Sequence, residues 1–449
     1  MVVGRLIRAL DRPVDAASAS AFRALFGALM LLSTARFLRH GWVAEYYQKP
    51  KWFFSYWGFG WVHPLPGVGM YALYGVIAAA SACVLLGLAS RVASAVFALG
   101  FGYAHLCDKT NYLNHYYLIT LLGGLFLALP LDREFSVRAW CRPRERRGHV
   151  RAWVLYLLRL QIGVVYAFGG IGKLGTDWLI HGEPLHIWLA ANGELPVLGR
   201  VLLEPWAGLA FSWCGALFDL SIVPLLSFRA TRAPAYLLLV VFHVLTALLF
   251  NIVMFPWVMI VSATIFWDPS WPRQLLRRLR CAGLAAPSDG VAGAPLSVAS
   301  RVGAALYALL QLLLPLRSAL YPGNTLWTEE GFRFSWKVML IEKAGALELN
   351  VVDAAGRRYL VLPSDYLTPA QARMASTQPD MILQLAQLIA RDFAARGHGS
   401  VRVYADSQVS FNGRRRRSLI DPKVDLVTER DTLLPKAFIL PAPTEAPSF

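Results

Sequence analysis

Long apolar stretches dominate the first 316 residues of this chain. A stretch of about 20 apolar residues is long enough to cross the hydrocarbon core of a bilayer. Nine stretches of roughly this kind follow one another, at about 19–38, 69–88, 90–106, 112–130, 152–172, 206–228, 234–250, 252–267 and 296–316. The sequence therefore predicts a mainly α-helical membrane protein, a polytopic bundle of about nine spans.

The composition favours a membrane protein and argues against a nucleic-acid-binding one. Hydrophobic residues make up 56% of the chain and charged residues only 16%, whereas an average soluble domain has about 25% charged residues. The formal net charge is +16, but much of the excess lies in short loops between predicted spans, where it acts as a topology signal. We expect the lipid bilayer as a partner and no nucleic acid.

Basic residues orient the predicted spans. They cluster in the N-terminal segment, in 133–151, at Arg229 and Arg232, and in 273–280. Nine crossings place all four clusters on one side, which the positive-inside rule assigns to the cytoplasm. We therefore expect a multi-pass protein of the bacterial inner membrane, with its N-terminus in the cytoplasm and its C-terminal part outside it.

The C-terminal part changes character and predicts a small, β-rich α+β domain. Strand patterns occur at 332–341, 346–352, 357–362, 400–405 and 408–411, and a helix pattern covers 369–396. Pro379 is expected to divide that helix, and turns are expected at Asp353–Gly356 and Asn412–Gly413. The predicted domains are a cytoplasmic segment 1–17, a transmembrane catalytic domain 18–320 and an extracytoplasmic domain 321–449.

One lysine lies in the most unusual of the apolar stretches. Residues 161–178, QIGVVYAFGGIGKLGTDW, read as an apolar helix that ends in a glycine-rich turn around Lys173. Arg159, Tyr166 and Lys173 are seven residues apart and fall near one face of such a helix. The glycines leave room for another backbone or a flat ligand. Alternatively, Lys173 is a lysine at the membrane edge whose amine reaches the headgroups.

Two nucleotide-binding motifs are excluded at the same turn. Residues 170–175 match G-x-G-x-x-G, but they follow a helix rather than a strand, which excludes a dinucleotide site. A phosphate loop is excluded because Leu174 stands where serine or threonine is required.

Other polar residues lie where a membrane domain tolerates few. The run DKTNYLNH, from Asp108 to His115, is polar, and His115 opens the next apolar stretch. Asp219 and His243 lie inside predicted spans, where an ionisable group is either functional or part of a buried hydrogen-bond network. The aromatic loop 42–61 is either an interfacial belt or the wall of a ligand pocket. No spacing of histidines and cysteines matches a zinc site, so no metal is expected.

Several runs of sequence together resemble one known family. The runs are CDKTNYLNHYYL (107–118), QIGVVYAFGGIGKLGTDW (161–178), FHVLTALLFNIVMFPWVM (242–259), FWDPSWPRQLL (266–276), WTEEGFRFSWKVML (327–340) and DPKVDLV (421–427). In order, between about residues 18 and 430, the chain resembles the vitamin K-dependent gamma-glutamyl carboxylases, including bacterial homologues with the horizontally transferred transmembrane domain.

The resemblance implies an enzyme with three small-molecule substrates and a protein substrate. Such an enzyme oxygenates vitamin K hydroquinone with O2 to the epoxide and uses the strong base formed on the way to carboxylate glutamate side chains with CO2. A glutamate-containing peptide or protein is therefore an expected partner. Two other functions stay open, namely a quinol epoxidase or oxygenase without carboxylation, and a transporter or structural membrane protein.

The resemblance also implies roles for individual residues. Lys173 matches the family's base, which deprotonates the hydroquinone and must be neutral to do so; an apolar pocket lined by glycines would favour that form. His115 matches the histidine that assists the carbanion and CO2 step. From position and composition alone, rather than from the resemblance, the expected vitamin K pocket residues are Asp108, Asn114, Tyr166, His243, Asn251, Phe255 and Trp257.

Overall fold

The computed structural model describes residues 2–196, 198–250, 252–281 and 297–448, and most of them are helical. The helices are α1 Val2–Asp11, α2 Ala17–Arg39, α3 Trp42–Tyr47, α4 Gly69–Leu86, α5 Ser90–Leu106, α6 Asn114–Ala128, α7 Val137–Cys141, α8 Ala152–Gly172, α9 Thr176–Leu179, α10 Leu185–Ala190, α11 Gly199–Leu202, α12 Pro205–Ser227, α13 Arg232–Leu249, α14 Phe255–Ala263, α15 Trp271–Arg278, α16 Val298–Leu316, α17 Thr325–Thr328, α18 Pro369–Ala375 and α19 Pro379–Ala395. The strands are β1 Pro13–Asp15, β2 His149–Arg151, β3 Lys343–Val352, β4 Arg358–Val361, β5 Arg402–Phe411 and β6 Arg417–Ser418. The predicted class, a helical membrane protein with a small α+β domain at its C-terminal end, is confirmed.

The predicted count of nine spans is not confirmed. Among the described residues, six helices are long and apolar enough to cross a membrane: α2, α4, α8, α12, α13 and the helix that begins at Val298. The other three predicted spans form shorter helices, of 17 residues in α5, 15 in α6 and 9 in α14. At 1.5 Å per residue these helices are about 26, 23 and 14 Å long, shorter than a hydrocarbon core of roughly 30 Å.

Contacts between loops define one end of the helix bundle, which we call the basic end. Strands β1 and β2 pair there, and so join the N-terminal segment to the loop before α8. Arg273 donates to Asp15 at 2.9 Å and lies 3.2 Å from Glu134. The Ser18 amide donates to the Pro269 carbonyl at 3.0 Å. Three of the predicted basic clusters therefore share this end of the bundle.

The centre of the bundle is packed by aromatic rings and closely approaching backbones. Phe26 of α2 meets Phe97 and Phe126 edge to face, with ring centroids 5.6 and 4.9 Å apart. One residue further along, a Cβ on Gly27 would lie 2.4 Å from the Leu85 backbone nitrogen. Only glycine permits this approach of α2 to α4, because any side chain would push the two backbones apart.

The C-terminal domain is an antiparallel sheet covered by a helix. The strand order is β4-β3-β5-β6, and β3 pairs with β5 along its whole length from Lys343 to Val352. Helix α19 packs its apolar face on this sheet, with Ile382, Leu385 and Ile389 fully buried. The helix break at Pro379 is confirmed, as are the turns at Asp353–Gly356 and Asn412–Gly413.

Two predictions for this domain are wrong. Residues 400–405 and 408–411 are not separate strands but belong to one strand, β5, because β3 offers an unbroken partner along its length. Residues 332–341 are turns rather than a strand. Phe334, Trp336 and Met339 have positive φ angles of 64, 58 and 57° there, which an extended strand excludes.

The C-terminal domain docks on the end of the bundle opposite the basic end. Its residues contact the loop between α5 and α6, where Gln371 donates to Asp108 at 2.8 Å and Lys109 donates to Asp380 at 2.6 Å. They also contact the loop after α8, where Arg414 donates to Asp177 at 2.9 Å. The docking surface is therefore polar and is held by buried or partly buried charges.

Asp380 is the central charge of this docking surface. It pairs with Lys109 and also with Arg333, at 2.7 Å. Burial by itself would raise the pKa of Asp380, but the Arg333 and Lys109 charges hold that pKa well below the usual carboxyl range. Because the folded-state pKa is depressed, the stabilisation is present above the unfolded pKa of about 3.9 and is lost only as the pH falls toward the folded value.

We expect Asp380→Asn to destabilise the protein by about 3–5 kcal/mol, because it leaves Lys109 and Arg333 buried without a carboxylate. Thermal unfolding in detergent, together with limited proteolysis of the C-terminal domain, measures the effect. The control is Glu45→Gln, which removes an exposed pair with Lys49 worth about 0–1 kcal/mol. Equal unfolding temperatures for both variants would contradict the central role of Asp380.

Candidate functional site

A mostly apolar cavity lies where α8, α12, α13 and α14 meet the C-terminal domain. Its volume is about 280 Å³, near the lower end of the roughly 300–1,000 Å³ typical of small-molecule sites. Most of its wall is apolar, and Val338 and Met339 close it from the C-terminal side. The polar side chains in the wall are few: Lys173, Asp219, Tyr166, His243 and Thr246.

Lys173 follows the last residue of α8 and its side chain is buried. Its Nζ atom donates to Asp219 Oδ2 at 2.8 Å and to the Gly169 carbonyl at 3.3 Å, and it lies 5.1 Å from the centre of the Trp178 indole ring. The turn is tight enough to direct the amine back along its own helix. The alternative of a lysine whose amine reaches the headgroups therefore does not describe this structure.

The surroundings of Lys173 differ from the sequence expectation in one respect. The expectation was an apolar, glycine-lined pocket that favours the neutral amine. The glycines are there, but α12 also places the Asp219 carboxylate against the amine. The wall around the amine is therefore not purely apolar, because Asp219 Oδ2 accepts a hydrogen bond from Lys173 Nζ.

Tyr166 and His243 form the second polar pair of the cavity. The Tyr166 hydroxyl and His243 Nε2 are 2.8 Å apart. The other ring nitrogen, Nδ1, is buried and has no hydrogen-bond partner in the described part of the chain. The two predicted pocket residues are thus brought together, two turns of α8 below Lys173.

His115 lies behind the cavity rather than in its wall. It is buried at the start of α6, and its ring centroid is 6.1 Å from that of Phe255, which lines the cavity. The Phe255 ring is in turn 5.9 Å from His243. His115 is therefore separated from the cavity by a single aromatic ring.

The remaining predicted pocket residues are more distant or serve another contact. Asn114 donates to the Lys337 carbonyl at 3.0 Å and so holds the loop that closes the cavity. Asp108 binds Gln371 in the docking surface, and Trp257 is half exposed on α14; neither lines the cavity. Asn251 lies outside the described residues.

Comparison with known families agrees with this arrangement. A family model described as "HTTM domain" matches residues 11–271, and one described as "Vitamin K-dependent gamma-carboxylase, lumenal domain" matches residues 297–445. The chain belongs to the vitamin K-dependent gamma-carboxylase family. No solved structure matches it. In this carboxylase-family protein the cavity is shared between the two matched regions, because Lys173 comes from the first and Met339 from the second.

A second cavity lies on the other side of the loop 329–341. Its volume is about 270 Å³, and eight charged side chains of both signs line it beside aromatic and aliphatic ones; we call it the charged cavity. Its ion pairs join Lys109 and Arg333 to Asp380. Arg317 lies outside these pairs; its Nη2 donates to the Arg333 carbonyl at 2.7 Å, and its buried Nε has no hydrogen-bond partner among the described residues.

The loop 329–341 separates the two cavities and is held in an unusual conformation. Phe334 lines the charged cavity, whereas Val338 and Met339 line the apolar one. Its positive φ angles are supported from the start of α6 and the residues just before it, because Tyr112 accepts from the Phe334 amide at 2.6 Å and Asn114 binds the Lys337 carbonyl. Strained conformations of this kind persist where their surroundings over-determine them.

Sequence reasoning identified Asp219 as an intramembrane ionisable group but did not pair it with Lys173. The two residues are 46 positions apart, so no local spacing connects them. An acidic residue and a basic one in two predicted spans were the only available signal. The loop 329–341 was missed altogether, because its alternating apolar residues are typical of a strand.

The apolar cavity opens toward the outer surface of the bundle. Cys214 lines the cavity and is also exposed on α12, a candidate membrane span. The neighbouring residues Trp213 and Leu217 are exposed as well. A lipid-soluble ligand therefore has an apolar route into the cavity.

We expect phylloquinone to slow the labelling of Cys214 by a membrane-permeant maleimide. At ten times the ligand's Kd the slowing is about tenfold, since only the unoccupied fraction reacts. Cys141 is the control, because it is also exposed but lies at the end of α7, outside the cavity lining. Equal labelling rates of Cys214 with and without the quinone would contradict a quinone site in this cavity.

Proposed function

We propose that this protein is a vitamin K-dependent gamma-glutamyl carboxylase, which converts vitamin K hydroquinone, O2, CO2 and a glutamate side chain into the epoxide and a gamma-carboxylated product. The observation that supports it most is a buried lysine in an otherwise apolar cavity beside α12. A flat quinol ring suits such a wall, and Lys173 is the group that can act on its hydroxyl. Burial also excludes water, which would quench a strongly basic intermediate.

The residues in and behind the apolar cavity would serve two steps, the deprotonation of the quinol and the carboxylation of the glutamate. Lys173 acts on the quinol hydroxyl, with the Trp178 ring beside its amine. Tyr166 and His243 are within the same wall and are suited to hold the second quinol oxygen. His115 assists the carboxylation step, for which the Phe255 ring between it and the cavity has to turn aside.

The charged cavity favours carboxylation over epoxidation alone. A glutamate side chain needs a cationic partner when it leaves water. Arg317 can be this partner, because its buried Nε–H group has no hydrogen-bond acceptor among the described residues. Only the loop 329–341 separates this cavity from the apolar one. The alternative function, a quinol epoxidase or oxygenase that keeps Lys173 but carboxylates nothing, leaves the charged cavity without a role.

We further propose the bacterial inner membrane as the location, with the C-terminal domain outside the cytoplasm. The docking of that domain opposite the basic end supports this orientation, since basic loops favour the cytoplasmic side. A peptide substrate outside the cytoplasm would meet the charged cavity from the side of the C-terminal domain.

The test supplies purified protein with vitamin K hydroquinone, O2, labelled bicarbonate and a short glutamate-containing peptide. We expect epoxide and fixed label from the wild type. Lys173→Ala should lower both by about 10²–10⁴-fold, the usual contribution of a proton-transfer group. His115→Ala should lower fixed label more than epoxide.

The control for Lys173→Ala is Lys423→Ala, an exposed lysine of the C-terminal domain. Epoxide without fixed label, for every glutamate peptide tested, would favour the epoxidase. Full activity of Lys173→Ala would overturn the role of Lys173. Neither epoxide nor fixed label from folded wild-type protein would contradict both functions and favour a transporter or structural protein.

Arg317→Gln tests the charged cavity separately. Losing a charged hydrogen bond to the substrate carboxylate costs about 1.5–3 kcal/mol, so we expect the peptide KM to rise roughly ten- to a hundredfold. Epoxide formation without peptide should stay unchanged. Arg396→Gln, on the exposed side of α19, is the control; a KM that Arg317→Gln leaves unchanged would exclude this cavity as the peptide carboxylate site.

A further inference from the structure

Lys173 and Asp219 are the two charged residues that line the apolar cavity in the described part of the chain. Their side chains are 7% and 12% exposed, and the Nζ–Oδ2 distance is 2.8 Å. The titratable groups that face them are Tyr166 from α8, His243 from α13 and Cys214 from α12, with Lys337 behind Gly172. The amine and the carboxylate therefore have each other as their only close charged partners in this wall.

Their surroundings favour the charged pair over an isolated neutral amine. The ring of Trp178 lies 5.1 Å from the ammonium and is itself fixed by a hydrogen bond of 2.6 Å from its Nε1 to the Ser212 carbonyl. An aromatic face stabilises a cation, and a nearby carboxylate does so more strongly. A neutral lysine beside an ionised Asp219 would leave the carboxylate unpaired in an apolar wall, which is costly.

A glycine brings the two helices of the pair close together. A Cβ on Gly170 of α8 would lie 2.7 Å from the Leu220 side chain of α12 and 3.1 Å from the Leu220 backbone nitrogen. At Gly169 and Gly215 a Cβ would make ordinary contacts, 3.4 Å from Asp219 Oδ2 and 4.0 Å from Lys173 Cε. The close approach at Gly170 thus lets the carboxylate reach the amine between the two helices.

An ammonium ion has no free lone pair and cannot accept a proton unless it gives one away at the same time. We propose that Asp219 is the final acceptor of the quinol proton and that Lys173 transfers it. The quinol O–H bond breaks as a new N–H bond forms on Lys173 Nζ, and an existing N–H proton of Nζ passes to Asp219 Oδ2. The products are a quinolate anion, the Lys173 ammonium beside it and an uncharged Asp219 carboxyl group.

The charges balance throughout this transfer. Before it, Lys173 pairs with the Asp219 carboxylate and the quinol is neutral. After it, Lys173 pairs with the quinolate and Asp219 is neutral. No step leaves a buried charge without a partner, which is what an apolar wall requires. Asp219 acts through Lys173 and is in this sense a positioning residue, with the additional task of holding the proton.

The inference rests on the proposed quinol chemistry, so its first test does not use turnover. Fluorodinitrobenzene enters membranes and reacts with an amine only in its neutral form; its reaction with thiols, phenols and imidazoles is distinguished by the residue that carries the label. At pH 7.5 we expect Asp219→Asn to speed the labelling of Lys173 at least about tenfold, since an opposite charge at this distance suppresses the neutral form by that factor or more. Peptide mass spectrometry measures the rate, with Lys423 of the same molecule as the internal reference. Equal rates in wild type and variant would overturn the pairing.

The second test measures epoxide formation in Asp219 variants. We expect Asp219→Asn to lower kcat by about 100-fold at pH 6 and by less at pH 9, where hydroxide can remove the ammonium proton in place of the carboxylate, with a much smaller change in the quinol KM. Asp219→Ala should regain part of its rate as formate is added, while equal concentrations of chloride should have no effect. A merely structural carboxylate would give no formate dependence.

Further outcomes separate the acceptor role from the proposed function. The control is Asp406→Asn, which is exposed in β5 and should match the wild type in both tests. An Asp219→Asn variant with more than a third of the wild-type rate would show that Lys173 works alone, and would overturn the acceptor role while leaving the carboxylase standing. A wild type that forms no epoxide would overturn the proposed function and the acceptor role with it, whereas the labelling still decides the pairing.

Discussion

A charge buried in an apolar helix bundle has to be neutralised by partners inside the protein, because neither lipid nor packed side chains can solvate it. The buried charges of this protein are neutralised by different kinds of partner. Lys173 meets the carboxylate of Asp219, and Arg273 meets Asp15 and Glu134 at the basic end. Arg23, in the middle of the first long helix, instead donates to backbone carbonyls, including those of Leu85 and Leu131. These contacts decide which helices lie side by side as much as the apolar packing does.

The same constraint explains how the C-terminal domain comes to complete the site. Lys109 of the bundle and Arg333 of the C-terminal part converge on one carboxylate, Asp380. That arrangement places the start of the loop 329–341 between the charged cavity and the apolar one. Contacts from Tyr112 and Asn114 then fix the rest of the loop. The apolar cavity is thus bounded by both regions of the chain, and neither region would form it alone.

The docking of the C-terminal domain also connects two sequence runs that the sequence analysis singled out, the one from Asp108 to His115 and the one around Lys173. The run from Asp108 to His115 contributes Lys109 to the charged cavity and His115 to the back of the apolar one, behind Phe255. The run that ends at Lys173 supplies the amine.

The sequence by itself determined where helices form, where the chain turns to a mixed α+β domain, and which family the chain belongs to. These properties depend on local composition, on Pro379 and the Asn412–Gly413 turn, and on runs of neighbouring residues. It also singled out Lys173, Tyr166 and His243, since polar groups are rare in apolar stretches. The sequence overestimated the number of spans that are long enough to cross a membrane, because apolar composition does not reveal that the helices α5, α6 and α14 are short.

Only the tertiary structure decided which of these residues meet. Asp219 reaches Lys173 because α8 and α12 approach each other at Gly170, and nothing in either helix alone specifies that approach. The loop 329–341 alternates like a strand but has no neighbouring strand to pair with, so side chains from the start of α6 and the residues just before it hold it in turns instead. Asp108 and Trp257 looked like pocket residues from their position in the sequence, yet one binds the C-terminal domain and the other lies half exposed. Local sequence sets the conformation of each segment, whereas long-range packing sets its partners.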